Sequence, residues 1–434
     1  MRLTIKPLKR ILKSIKFDYA KEYNSLLAFA AKSDYSIVLN PLRIREGFKT
    51  LYAFGNRKFV QGNVGNAFEE TAKLQESADT IFGYFSYDLK NEIESLNSAN
   101  ADLTLFPDYF FFQPRLIARV LENELLLEYF EEDEAFVQNF IQCVIEICQL
   151  TDEATSSSNS ISLKSRLSKE EYIAKVNQLK KHIHRGDIYE VNFCQEFYAE
   201  NAMLNPLEVF QKLLKKSSTP FSSFLKMQDK FLLCASPERF LKKEGARVIS
   251  QPIKGTAKRG ANEEEDDNLK KTLFESAKER SENVMIVDLV RNDLSTIAKD
   301  GTVKVEELFK VYSFPQWHQM ISTISCEVDS SISSLQIIKK CFPMGSMTGA
   351  PKVSAMQLIE ENESVKRGIF SGAVGYIDHE NNFDFNVVIR SLVYNAKTKY
   401  LSLSVGSAIT AHCDAEQEYE ECLLKAAVLK EVLR

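Results

Sequence analysis

The sequence lacks the run of about 18 consecutive apolar residues that a bilayer-spanning helix requires, although hydrophobic residues make up 44% of its 434 residues. It also lacks an excess of basic charge, because 55 lysines and arginines stand against 60 aspartates and glutamates and give a net charge of −5. Basic residues are interspersed with acidic ones along most of the chain, which does not match the concentrated positive surface of a nucleic-acid-binding protein. We therefore expect an ordinary globular chain with neither a membrane nor a nucleic-acid partner.

Paired cysteines and clustered histidines are missing as well. None of the eight cysteines has the CxxC spacing that is typical of zinc and redox sites. His182 and His184 fall on opposite sides of a predicted helix, which does not match a metal site. We predict reduced thiols, a cytoplasmic location and no zinc site. Cys143 and Cys148 lie in an apolar run and are expected to be buried.

A phosphate-binding loop is absent although one segment, GSMTGAPK, is rich in glycine. A Walker sequence needs four residues between its glycines, whereas Gly345 and Gly349 enclose three, and Pro351 precedes Lys352. A nucleotide site is therefore not expected. A helix that begins at Pro351 with free backbone amides before it would suit a carboxylate, or it is simply a structural helix start.

The order of predicted elements indicates an α+β fold. Short apolar runs alternate with polar turns from Phe17 to Leu150, which predicts strands with few helices between them. A capping-box pattern at Ser168 and Glu171 opens an amphipathic helix, and further strands and helices follow. We divide the chain into a β-rich part (1–151), a serine-rich linker or mobile loop (152–164) and a catalytic core (165–434) that packs closely against the first part.

The segment QPIKGTAKRG, residues 251–260, attracts attention because it presents one amine on a tight turn. Pro252, Gly255 and Gly260 all interrupt regular structure around Lys254. Lys254 is either a positioned nucleophile or one more loop lysine, and the sequence of this segment alone leaves both possibilities open.

Two sets of carboxylates and one arginine are further candidates. Glu275, Glu279 and Glu282 share one face of a long helical stretch, roughly 263–298. Glu418 and Glu421 share a face of the last helix. Each set is either a solvated face or, if the two helices meet, half of a magnesium site. Arg390 lies in an apolar strand, where a charge is costly unless it meets a substrate anion or an internal salt bridge.

Six segments follow one another along the chain, namely SPERFL, PIKGTAKRG, ERSENVMIVDLVRNDL, PMGSMTGAPKVSAMQLIE, RGIFSGAVGYI and SAITAHCDAEQEYEECLLKA. They occur in the order that is found in chorismate-utilising enzymes, and the chain resembles that family. The likeness covers about residues 165–434, and FGYFSYDLK and FPDYFFFQP are similar to the amino-terminal part of the family. It implies large antiparallel sheets that form a two-layer β core with helices packed outside.

The resemblance implies roles for individual residues. Lys254 is typical of the branch that aminates chorismate at carbon 4, whereas anthranilate synthases typically have alanine there. Lys254 would then be the nucleophile and Glu238 the general acid. Mg²⁺ would be held by Glu282 and Glu421 with Glu418 nearby. The positions expected around the substrate are Gly255, Thr256, His318, Phe370, Gly372, Arg390, Gly406 and Lys425.

The expected reaction joins chorismate and ammonia into 4-amino-4-deoxychorismate, on the route to 4-aminobenzoate and folate. No segment resembles a class I glutaminase or a pyridoxal-phosphate lyase, so ammonia would come from a separate glutaminase subunit or from solution. Glu190 stands where these relatives commonly have glutamine and where isochorismate and salicylate synthases have lysine. Ala408 stands in place of a glycine. The alternatives are an anthranilate synthase, an isochorismate or salicylate synthase, and a silent chorismate-binding scaffold for a glutaminase.

Overall fold

The computed structural model describes residues 9–43, 48–149 and 160–434. Within these ranges the chain forms 20 strands that are joined in one hydrogen-bonded network. The strands are β1 (Ile11–Lys16), β2 (Tyr35–Leu39), β3 (Leu51–Gly62), β4 (Ile81–Phe85), β5 (Tyr109–Val120), β6 (Glu124–Tyr129), β7 (Lys164–Ser165), β8 (Glu190–Ala199), β9 (Phe221–Met227), β10 (Lys230–Ser236), β11 (Arg239–Glu244), β12 (Arg247–Gln251), β13 (Ile253–Lys258), β14 (Lys304–Ser313), β15 (Trp317–Glu327), β16 (Gly349–Ala350), β17 (Ala373–Ile377), β18 (Phe383–Val387), β19 (Ser391–Asn395) and β20 (Tyr400–Thr410).

Helices connect these strands along the chain. They are α1 (Tyr19–Lys32), α2 (Ala67–Gln75), α3 (Lys90–Ile93), α4 (Glu134–Gln149), α5 (Lys169–Arg185), α6 (Pro206–Lys216), α7 (Glu263–Glu275), α8 (Ala277–Ser295), α9 (Ser334–Cys341), α10 (Lys352–Asn362) and α11 (Ala415–Glu431). Short 3₁₀ turns lie at Tyr87–Leu89, Glu131–Asp133 and Gly345–Met347. In the described part of the chain, none of the helices is long and apolar enough to cross a membrane.

Two arms of the sheet diverge from β5. The first arm runs from β5 through β3, β2, β9, β10, β19 and β20 to β8. The second arm runs from β5 through β4, β17, β18, β11 and β12 to β15, which also pairs with β13 and β14. All of these pairings are antiparallel, and the predicted α+β class is confirmed. Strands from the amino-terminal part and from the core thus share the same arms.

The two arms enclose a central apolar layer. Side chains alternate between the faces of a strand, so Phe82 and Tyr84 of β4 enter the central layer while Ile81 and Phe85 point to the opposite face. The central layer contains residues from strands of both arms. Phe82 and Tyr84 belong to β4 of the second arm, and Leu225 belongs to β9 of the first arm. The arms therefore face each other as two β layers.

Helices cover the outer faces of both layers. The first arm packs against apolar residues of α1, α4, α5, α6, α10 and α11. The second arm packs against α2, α8 and α9. Because α11 lies on the first arm and α8 on the second, the two glutamate-bearing helices flank the place where the arms end.

Some local predictions are confirmed by the structure and others are wrong. The capping box of Ser168 and Glu171 at the start of α5 is confirmed. The predicted helical stretch at about 263–298 is instead two helices, because Ser276 adopts an extended backbone and caps α8. The predicted burial of Cys148 is wrong, because this thiol is exposed. Cys143 is only partly buried.

Two more predictions concern chain boundaries. Helix α10 begins at Lys352, so Pro351 is its N-cap and not its first helical residue. The amino-terminal part also holds more helix than expected, because α1, α2 and α4 bury apolar faces against the sheet. Of the predicted linker 152–164, residues 152–159 lie outside the described residues, and 164 begins β7.

Candidate active site

The segment around Lys254 lies where the ends of the two arms meet, and it is a strand with an irregularity in its pairing, not the predicted tight turn. Lys254 is part of β13 in the second arm, and Glu190 is the first residue of β8 in the first arm. The Lys254 Nζ donates a hydrogen bond of 3.0 Å to Glu190 Oε1. Glu238 lies in the corner between β10 of the first arm and β11 of the second. The structure thus brings the predicted nucleophile and the predicted acid into the same region, together with Glu190.

Negative charge surrounds the Lys254 amine. Burial by itself lowers the pKa of Lys254, but the Glu190 carboxylate and then the Glu282 and Glu238 carboxylates raise it, and the net pKa lies above the ordinary value. Among the described residues, Glu190 is the only carboxylate in ion-pair contact with this amine. In the free protein the lysine is therefore a protonated, ion-paired group.

Glu238 is a carboxyl group that holds its proton near neutral pH. Its side chain is 5% exposed. Burial raises its pKa from 4.5 to about 7, although a hydrogen bond from Ser346 and the charges of Lys254 and Arg390 oppose the rise. An acid of this pKa can donate a proton to a leaving group at neutral pH.

The glycine-rich segment supports Glu238 through a side-chain hydrogen bond. Ser346 Oγ donates a hydrogen bond of 2.6 Å to Glu238 Oε1. Asn192 of β8 binds the same segment, through its Nδ2 to the Ser346 carbonyl at 3.1 Å and through its N–H to the Thr348 carbonyl at 2.8 Å. Sequence reasoning missed Ser346, and the only signal for it was its position within an ordered motif.

Arg390 is a cation with no ion-pair partner among the described residues. Its backbone has a φ of 50°, in the left-handed region that non-glycine residues rarely adopt. Burial lowers the pKa of its guanidinium while the charge of Glu238 raises it. No hydrogen bond or ion pair joins this guanidinium to another of the described residues, so the internal salt bridge left open by the sequence is not found there. Such a group is suited to bind an anion from outside.

Helices α8 and α11 do meet, and a lysine lies between their carboxylates. The Lys278 Nζ lies 3.9 Å from Glu282 Oε1 and 3.5 Å from Glu418 Oε1. Burial raises the pKa of Glu282 to about 7, with Lys254 lowering it and Glu279 raising it. Glu421 is paired with Lys425 at 2.7 Å.

The carboxylates of α8 and α11 are the candidate magnesium ligands. Within the described ranges, no group of three or more His, Cys, Asp or Glu side chains lies close enough together to hold a metal ion. Glu282 and Glu418 nevertheless fit a cation, because they supply the oxygen ligands that magnesium prefers and already hold the Lys278 ammonium between them. Glu421 is not part of that pair.

The predicted glycines pack closely. Gly255 has a φ of +88°, and a Cβ there would lie 3.0 Å from Glu279 Oε2. A Cβ on Gly406 would lie 2.3 Å from Asn192 Oδ1, and the Gly406 carbonyl accepts a hydrogen bond of 2.9 Å from Lys425. A Cβ on Gly372 would lie 2.2 Å from the carbonyl of Phe85 in β4, so these three positions require glycine.

The remaining residues that were predicted to lie around the substrate are His318, Phe370 and Thr256. His318 is fully buried and bonds Ser313 Oγ at 2.8 Å and Asp266 Oδ1 at 3.0 Å. Its two ring nitrogens therefore already have protein partners. Phe370 is buried in the apolar layer beneath the second arm, and Thr256 is exposed on β13 opposite Gln319.

Ala408 lies on β20 directly opposite Asn192 of β8. The Asn192 side chain also lies beside Gly406, two residues earlier on the strand. Its methyl group is accommodated within regular antiparallel pairing.

The family described as chorismate binding enzyme matches residues 38–431. The chain is 33% identical over 356 residues to aminodeoxychorismate synthase component 1 of Escherichia coli (strain K12), covering 81% of this chain and 76% of that protein. It is 30% identical over 369 residues to anthranilate synthase component 1 of Aquifex aeolicus (strain VF5), covering 81% and 74%. The crystal structure of anthranilate synthase component I from Streptococcus pneumoniae TIGR4 superposes with a TM-score of 0.78 at 22% identity, covering 91% and 94%, which shows a shared fold.

Proposed function

The chain belongs to the family of chorismate-binding enzymes, and from that premise we propose that it acts as an aminodeoxychorismate synthase component I. It converts chorismate and ammonia to 4-amino-4-deoxychorismate. The observation that carries this reading is the Lys254 amine, which lies in one buried region with a carboxyl group, Glu238, that is protonated near neutral pH.

The chemistry of this substitution requires two groups of that kind. Hydroxide must leave carbon 4 and ammonia must arrive with the configuration retained, whereas a single displacement would invert it. A first displacement by the Lys254 amine at carbon 2, followed by a second by ammonia at carbon 4, retains the configuration. Hydroxide is a poor leaving group, so Glu238 gives it a proton and releases water.

Substrate binding follows from the charges around these two residues. Arg390, which has no ion-pair partner among the described residues, receives one carboxylate of chorismate. Gly406 and Lys425 lie at the edge of the same region and are joined by the hydrogen bond from the Lys425 amine to the Gly406 carbonyl. A magnesium ion held by Glu282 and Glu418 would, when bound, neutralise a second carboxylate and draw electron density from the ring.

Ammonia comes from a separate glutaminase subunit in this proposal, because the word component in the relatives' name implies a second chain. We also propose a cytoplasmic location, which the eight unpaired cysteines favour. The core 165–434 carries the chemistry, since every residue placed in the site lies within it.

The test is incubation of the protein with chorismate, ammonium and magnesium, with mass spectrometry of the product and of the protein. Wild type should give 4-amino-4-deoxychorismate, which a separate lyase converts to 4-aminobenzoate. Lys254→Ala should give little product and no covalent adduct. Lys258→Ala is the matched control, because Lys258 is an exposed lysine of the same strand.

Other products would identify the rivals. Anthranilate and pyruvate would indicate an anthranilate synthase, and isochorismate or salicylate formed without ammonia would indicate that branch. Intact chorismate binding without turnover would indicate a scaffold for a glutaminase. Full activity of Lys254→Ala would remove the lysine from the mechanism.

A further inference from the structure

Glu190 is a buried carboxylate whose position is fixed by backbone pairing. It is 1% exposed, and it pairs with Thr410 of β20 on one side and with Ala350 of β16 on the other. Its Oε1 accepts the hydrogen bond from Lys254, whereas its Oε2 has no partner among the described residues. An unpaired buried polar atom is costly to the folded state. A rigid, incompletely satisfied carboxylate beside a reactive amine calls for a functional explanation.

The proposed reaction needs a neutral amine, yet every neighbour of Lys254 favours the ammonium form. A protonated lysine has no electron pair with which to attack carbon 2. The groups that face it are Glu190 from β8, Glu238 from the corner between β10 and β11, Glu279 and Glu282 from α8, and Glu421 from α11. All of them are carboxyl groups, so the proton must go to one of them or to solvent before the attack.

Contact selects one acceptor from this set. Glu282 and the two other helix carboxylates are not in ion-pair contact with the amine. Glu238 accepts from Ser346 and holds the proton that the leaving hydroxide needs. Glu190 alone touches the Lys254 Nζ, at 3.0 Å, which is within proton-transfer reach.

Resting on the function proposed above, we propose that Glu190 is the proton acceptor that frees the Lys254 amine for attack and returns its proton afterwards. The Nζ–H bond breaks and an O–H bond forms on Glu190, which leaves a neutral amine and a carboxylic acid. The amine's electron pair then forms the bond to carbon 2 while the C4–O bond breaks and Glu238 supplies the proton that makes water.

The second displacement reverses these transfers. Ammonia bonds to carbon 4, the C2–N bond breaks, and Lys254 leaves with its electron pair. The proton on Glu190 returns to this amine, and the C4 ammonium gives a proton back to Glu238. Both carboxyl groups thus end each cycle in their starting states.

The discriminating variant is Glu190→Gln, which keeps the shape of the side chain but cannot take a proton. We expect kcat at neutral pH to fall about 100-fold, the contribution of a positioned base. The lysine proton must then be lost to solvent, so the pH profile of kcat/KM gains a limb that rises with pH and is absent from wild type. Glu190→Asp, which keeps a carboxylate, should retain the wild-type shape at a lower rate.

A second readout requires no turnover. The variant removes the nearest negative charge while burial continues to lower the pKa of Lys254. Acetic anhydride, followed by mass spectrometry of the peptide that contains Lys254, should therefore label this residue at lower pH in Glu190→Gln than in wild type. Glu196→Gln is the matched control, because Glu196 is also buried on β8 but pairs with Arg166 at 2.8 Å. It should show neither the new limb nor the labelling shift.

The outcomes separate this inference from the function on which it rests. Absence of aminodeoxychorismate from wild type would overturn the proposed function. Product from wild type together with an unchanged kcat and a parallel pH profile in Glu190→Gln would overturn the role of Glu190 alone. Unchanged labelling of Lys254 in that variant would also overturn it.

Discussion

Replacing Glu238 with glutamine should make the protein more stable at alkaline pH and far less active. The raised pKa of this carboxyl, from 4.5 to about 7, means that the folded protein must bury a negative charge whenever the group ionises. That rise corresponds to about 3 kcal/mol of folding free energy. Glutamine avoids this cost, since it is uncharged at every pH and can still accept the hydrogen bond from Ser346.

The sign of the pH dependence follows from the direction of the shift. Because the pKa of Glu238 is higher in the folded state than in the unfolded state, its stabilising contribution is complete below about pH 4.5 and is lost as the pH rises through about 7. The variant has no such loss. The stability of the variant relative to wild type should therefore increase by about 2.5 kcal/mol from about pH 5 to about pH 8.5.

Urea unfolding of both proteins at the two pH values measures this difference. Other carboxyls whose pKa values are raised by burial are present in both proteins and cancel in the comparison; they are Asp88, Asp108, Glu279, Glu282 and Asp293. Glu361→Gln, at an exposed position of α10, should show no change with pH relative to wild type. An equal stability difference at both pH values would refute the assignment of a buried proton to Glu238.

The activity of Glu238→Gln should decrease, although its stability at alkaline pH should increase. The amide cannot protonate the leaving hydroxide, so kcat should fall by at least about 100-fold. In wild type, kcat/KM should decline as the pH rises through about 7, where Glu238 loses its proton. An unaffected kcat in Glu238→Gln would show that another group protonates the leaving oxygen.

Three further substitutions test the surroundings. Ser346→Ala removes the hydrogen bond that lowers the pKa of Glu238, so the falling limb of kcat/KM should move to higher pH, and an unmoved limb would contradict this role. Gly406→Ala places a methyl 2.3 Å from Asn192 Oδ1 and should cost about 1–3 kcal/mol of stability, measured by urea unfolding; a neutral result would mean that β20 shifts freely. Arg390→Lys should raise the KM for chorismate about tenfold more than it lowers kcat, because a single ammonium replaces a planar guanidinium, and steady-state kinetics with equal effects on both would argue against carboxylate binding.

The sequence best predicted those features that depend on residues close together in the chain. The local irregularity beside Lys254 was visible from Gly255, which has a positive φ where the pairing of β13 with β15 shifts, but the predicted tight turn was wrong because Lys254 lies on a strand. The capping box of α5 was visible from two residues three positions apart. The α+β class followed from alternating apolar runs, since one face of each strand must enter the central layer or an outer one.

Contacts between distant residues could not be read in the same way. The Ser346 hydroxyl reaches Glu238 across 108 positions, and Lys278 reaches Glu418 across 140. No periodicity links such pairs, because they depend on how the arms and helices meet. The break at Ser276 was also missed, since the long charged stretch has helical spacing on both sides of the capping serine.

The negative charge of the site opposes the binding of an anionic substrate. Lys254 is paired with Glu190, Lys425 with Glu421, and Lys278 with two carboxylates. In the described part of the site this leaves Arg390 as the cation without an ion-pair partner. Chorismate brings two carboxylates, and placing both beside these glutamates would be strongly repulsive.

Two changes relieve this repulsion, and the residues favour both. A protonated Glu238 removes one negative charge, and its raised pKa shows that burial already drives it toward that state. A divalent cation between Glu282 and Glu418 would add positive charge where the Lys278 ammonium is now held. Since Lys278 is more than half exposed, it can give way without disturbing the core. In the proposed function, the carboxylates that oppose an anionic substrate would thus be the groups that take up a proton and a cation as it binds.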